Sequence, residues 1–150
     1  MAIKRRKRGF RLDRRLLILF SIMPVGCLLA IFVGLIVGGI SYWLNPYNEL
    51  SLLGVHIYLI LSIGLVIASF FIQLFLSSNP KRTALLISLG AIIAIVLRIV
   101  YDTTFWDSTS HNLAPFEILI TAFIIFPSAF VGVYLARLTK WLERYKNNGH

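Results

Sequence analysis

Residues Leu16 to Tyr42 contain no charged side chain, and no other feature narrows the available folds so far. A helix needs about 20 apolar residues to cross a hydrocarbon core of ~30 Å. This run exceeds that, so its helix is expected to tilt or to project beyond the core. A secretory signal has a shorter apolar region ending in small residues. No Ala-x-Ala site follows here, so the run reads as a retained anchor.

Three more apolar runs follow, at about Leu52 to Leu76, Thr83 to Tyr101 and Phe116 to Ala136. The second stops at Ser77-Ser78-Asn79-Pro80-Lys81-Arg82, a turn cluster with a helix breaker. The third is short, and the fourth is expected to run on as a basic helix to Tyr145. The predicted fold is an all-α bundle of four transmembrane helices over residues 16–136, with spans at 16–42, 52–76, 83–101 and 116–136. Basic tails occupy 1–15 and 137–150. Composition agrees, because charged residues make up 14% of the chain against about 25% in soluble domains. A length of 150 residues suits one compact unit.

The net charge of +9 is distributed in a telling way. Lys4, Arg5, Arg6, Lys7, Arg8, Arg11, Arg14 and Arg15 precede the first run. Lys81 and Arg82 lie between the second and third, and Arg137, Lys140, Arg144 and Lys146 follow the last. In a chain that crosses four times, these residues share one side, and only Arg98 lies elsewhere. The other side holds Glu49, Asp102, Asp107 and Glu117. An excess of Lys and Arg marks the cytoplasmic side, so both ends are expected inside the cell. Topology accounts for the charge, so no nucleic-acid partner is inferred. The basic tail is expected to attract anionic lipid headgroups instead. Trp43, Trp106 and Trp141 fall at predicted boundaries, where amphipathic indoles belong.

In lipid, helices associate by close packing, which small residues permit. Gly26, Ala30, Gly34 and Gly38 recur every four residues in the first span. Ser128, Gly132 and Ala136 form a stripe on the fourth, and Gly90 and Ala94 begin one on the third. These stripes fit either packing within one chain or a subunit interface. Pro24 and Pro127 lie inside spans, where each removes a backbone hydrogen bond.

Arg98 lies about one turn inside the outer end of the third span. An ionisable group at that depth is costly and marks a candidate site. Asp102 is four residues on and shares its helix face. His56, Asp107, His111 and Glu117 complete a candidate polar outer site. Carboxylates suit hard cations, and imidazole adds affinity for zinc. The spacing Asp102, Asp107, His111, Glu117 matches no ligand motif, neither His-Glu-x-x-His nor an EF-hand loop. Glu117 also suits a helix N-terminus behind Pro115, with Asn112 as its cap. The lone Cys27 cannot form an intramolecular disulfide. Apart from Arg98 and His56, the polar side chains of the spans are Ser, Thr and Gln73. A proton-coupled carrier would have an acid or histidine near mid-membrane.

The string Asn112-Leu113-x-Pro115-Phe116 resembles a motif of VanZ-like membrane proteins over a stretch of five positions. No function is carried over from it. The leading expectation is a small accessory or structural subunit of a cytoplasmic membrane, bacterial in type, with no cofactor. It would work through helix packing and its polar outer loop, against a membrane-protein partner or a second copy. A small transporter or channel with an outward-facing site around Arg98 is the first alternative. A membrane enzyme using the acid and histidine cluster is the second.

Overall fold

The computed structural model describes residues 14–44, 51–52, 54–76, 79–105 and 113–148, with side chains for 25–44, 54–76, 79–105 and 113–147. Four helices dominate it: α1 (Arg14–Trp43), α2 (Ile57–Leu76), α3 (Pro80–Phe105) and α4 (Ala114–Asn148). All four are long and apolar enough to cross a membrane. Two short strands, β1 (Ser51–Leu52) and β2 (Val55–His56), pair antiparallel between α1 and α2.

The ends of these elements differ from the sequence-based expectations for local reasons. The second helix starts at Ile57, not Leu52, because Ser51–Leu52 and Val55–His56 pair as antiparallel strands. Gly54 turns the chain between them with φ of 78°, a left-handed conformation that favours glycine. The third helix is longer than expected at both ends. At its start Asn79 is the cap, with its Oδ1 accepting from Lys81 N at 3.1 Å. Pro80 then occupies the first helical position, which needs no N–H. At its far end the hydroxyls of Thr103 and Thr104 donate back to the Ile99 and Val100 carbonyls at 2.9 and 2.7 Å. Such bonds pair each hydroxyl with the helix's own backbone, so continuing to Phe105 leaves neither threonine hydroxyl unsatisfied. At the start of α4 the Leu113 carbonyl accepts from Phe116 N and Glu117 N, and Glu117 lies in the first turn.

Around the bundle the helices stand in the order α1, α2, α4, α3. The most extensive packing is between α1 and α3, and between α2 and α4. Both pairs are parallel. Gly34 and Gly38 of α1 meet Ile87 and Ala91 of α3, while Gly132 and Lys140 of α4 meet Val66 and Gln73 of α2. Helices α1 and α2 run antiparallel, since Gly26 faces Leu76 and Gly64 faces Val37. One end of the bundle therefore carries the β-hairpin and the α3–α4 connection; we call it the hairpin end. The opposite, basic end carries the α2–α3 turn and the last turns of α4.

Glycine sets the closeness of the parallel pairs. A Cβ on Gly34 would overlap the Ile87 carbonyl oxygen, and one on Gly90 would overlap that of Ile31. A Cβ on Gly38 would lie 2.9 Å from the Ala91 oxygen. On the other pair, a Cβ on Gly132 would strike Val66 O and Ser69 Oγ. The interior continues with Ala30, Ala84, Ala91, Ala94, Ala129 and Ala136, all buried beside Leu61, Leu65, Ile87, Ile95 and Ile125. Large apolar side chains point outward on every helix, among them Phe32, Ile36, Ile63, Phe71, Leu89, Leu97, Phe123 and Leu138. Small side chains inside and large ones outside is the arrangement expected where the solvent is as apolar as the core.

Candidate functional site

The polar side chains inside the bundle are few, and hydroxyls tie them from helix to helix. Thr121 Oγ1 donates to Glu117 O at 2.6 Å, which uses its one hydrogen. The Tyr42 hydroxyl must therefore donate in the 3.1 Å bond between them, joining α1 to α4 at opposite corners. By the same count Ser128 Oγ donates to Ile124 O at 2.7 Å, so Ser62 donates to Ser128 across α2 and α4 at 2.8 Å. Ser69 Oγ returns to Leu65 O at 2.6 Å. Ser88 Oγ is buried with no hydrogen-bond partner among the described residues.

Most candidate residues that the structure describes gather at the hairpin end. Arg98 Nε donates to Asp102 Oδ2 at 2.7 Å within α3. The carboxylate is buried and the Arg98 side chain is 17% exposed. The guanidinium carbon lies 5.7 Å from the ring centroid of Trp43, the last residue of α1, so a cation rests on an aromatic face. Trp43 Nε1 reaches Ala94 O at 3.3 Å, and its ring stands 5.6 Å from that of Tyr101, which is 5.2 Å from Phe105. Because α3 continues to Phe105, Arg98 is about two turns from its end. It is nevertheless level with the end of α1.

The second group lies on β2 and the other three helices. Tyr58 packs against the buried cluster that includes Tyr42, and the Glu117 carbonyl accepts from Thr121 beside it. His56, at the end of β2, is exposed; its Nδ1 accepts weakly from Tyr58 N at 3.4 Å, and the two rings are 5.1 Å apart. Asp107, His111 and the proposed cap Asn112 lie outside the described residues. Among the described residues no three of His, Cys, Asp or Glu are placed to hold a metal ion.

Sequence reasoning did not identify Trp43 as the seat for Arg98, nor Tyr42 and Thr121 as partners. Residues 79 apart in the chain carry no signal of their pairing. The same holds for Lys140, whose Nζ donates to Gln73 O at 3.1 Å and Leu74 O at 2.8 Å. In the sequence it was one positive charge in a basic tail.

Of the stripe residues, Gly34, Gly38 and Gly132 stand against neighbouring backbone, and Ala30 and Ser128 are buried. Gly26 faces only the side chain of Leu76, at an ordinary 3.4 Å.

Comparison with known proteins finds no matching family model, no matching curated protein and no matching solved structure.

Proposed function

We propose that the chain is a multi-pass protein of a cytoplasmic membrane, bacterial in type, with both ends inside the cell, and that it serves as an accessory or structural subunit. The observation that carries this reading is the way the interior is filled. Backbone meets backbone at Gly34, Gly90 and Gly132, and the hydroxyl bonds Tyr42–Thr121 and Ser62–Ser128 run between helices. Such an interior favours one fixed arrangement of helices over a path for a solute. The distribution of charge supports the orientation, with Lys81, Arg82, Arg137 and Arg144 at the basic end. The basic tails would then face anionic headgroups of the inner leaflet. The large apolar surface is free to meet lipid or a membrane partner.

Native mass spectrometry of the protein, purified from its own membrane in mild detergent, tests the reading. A second polypeptide in fixed stoichiometry is expected. A clean monomer or homo-oligomer would count against the subunit role.

A further inference from the structure

We infer that Arg98 holds the phosphate of a phospholipid from the leaflet at the hairpin end, in the groove where α3 passes the end of α1. The inference rests on the membrane reading above and deepens it by naming a ligand.

Among the described residues Arg98 spends only part of its donor capacity. Its Nε–H bonds Asp102. The two terminal Nη groups have no hydrogen-bond partner among the described residues, although the side chain is only 17% exposed. Arginine carries five N–H donors in a planar fork that matches two oxygens of a phosphate. Those Nη groups are not among the buried unpartnered atoms, so they are open to an acceptor from outside the chain. Asp102 and Trp43 fix the fork from two sides, one through Nε and one through the ring face. The site is therefore ordered before a ligand arrives.

The surroundings select a lipid over a free ion. Trp43, Tyr101 and Phe105 form a run of exposed rings beside the guanidinium. Aromatic rings of this kind sit at the level of headgroups. Toward the middle of the bundle, Ile36 and Ile40 of α1 and Ile93 and Leu97 of α3 present exposed apolar side chains. Acyl chains can lie along them while the phosphate stays at Arg98. The 20 residues of α2 begin at this same level and rise about 30 Å, one hydrocarbon thickness. Arg98 thus stands at the boundary, where a phosphodiester is found. Asp102 balances one charge, so recognition depends on hydrogen bonds to phosphate oxygens more than on net attraction.

The test uses the full chain in mild detergent with added phosphatidylglycerol, read by native mass spectrometry as lipid retained under collisional activation. The wild-type chain should hold one phospholipid. Arg98→Gln should lower retention about tenfold or more, the worth of one charge-assisted hydrogen bond. Asp102→Asn should hold lipid at least as well as wild type, because it keeps an acceptor for Nε and removes the negative charge that offsets the guanidinium. Opposite effects of the two substitutions separate lipid binding from a purely structural ion pair, which would respond alike to both. Circular dichroism on each variant checks that the helices persist. Equal loss in both variants, or unchanged retention in Arg98→Gln, overturns the inference. Displacement of the lipid by inorganic phosphate would assign a free anion to the site and overturn it too. Failure of the membrane reading is distinguishable: alkaline carbonate would then release the chain from membranes without detergent.

Discussion

At Gly34 the absent side chain is what makes the contact. The Ile87 carbonyl occupies the volume a Cβ would need, and Gly90 does the same for Ile31 in return. Gly39, one residue beyond the stripe, has nothing within 4 Å of its Cβ position. The two glycines share a helix and differ only in what they face, so they make a controlled pair. Gly34→Ala must push two backbones apart and should lower stability by about 1–3 kcal/mol. Gly39→Ala gains helix propensity and should leave stability unchanged or raise it by about 0.5–1 kcal/mol. Thermal unfolding in mild detergent, with circular dichroism as the signal, reads both. Equal midpoints for the two variants would mean that the α1–α3 contact is looser than it stands here. The four-residue spacing of the stripe was legible in the sequence. Its inequality was not, because Gly26 and Gly34 are the same residue in the same pattern, and only the neighbouring helix tells them apart.

At the scale of elements, the four helices were legible because an uncharged run of sufficient length has few other options. Their ends were less so. Hydropathy extended the second span back to Leu52, and backbone geometry at Gly54 decided otherwise. It also ended the third at Tyr101, yet the helix runs on to Phe105 with the threonine hydroxyls turned back onto its own carbonyls. The C-terminal end of α2 has a further device that no local pattern contains. The last carbonyls of a helix lack partners within it, and Lys140 reaches across from α4 to those of Gln73 and Leu74. A cation at the negative end of a helix dipole adds to the hydrogen bonds. Replacing it with methionine keeps the length of the side chain and removes the donor. Lys140→Met should cost about 1–2 kcal/mol and speed amide hydrogen exchange in the last turn of α2. Lys146→Met, on the last turn of α4, should do neither. If exchange in that turn is the same in all three proteins, the cap contributes nothing to holding α2.

For the whole molecule, the chain order and the packing order disagree, and the disagreement fixes the architecture. Consecutive helices are antiparallel, yet the tightest contacts join α1 to α3 and α2 to α4, which are parallel. Two glycine-sealed parallel pairs then lie side by side, with Tyr42 and Thr121 joining opposite corners. This arrangement places Trp43, Arg98 and Asp102 at one end, and Lys81, Arg82 and Lys140 at the other. The side of the membrane proposed for each end rests on charge, and it can be read directly. Cys27 is the sole cysteine, so Cys27→Ser provides a clean background. Leu113→Cys and Tyr145→Cys then mark the two ends, since both positions are well exposed. A membrane-impermeant maleimide should label Leu113→Cys in intact cells and Tyr145→Cys only after permeabilisation. The reverse pattern would invert the chain and move the Arg98 groove to the cytoplasmic leaflet. Labelling of both in intact cells would mean that α4 does not cross at all, and the closely packed interior would need a different explanation.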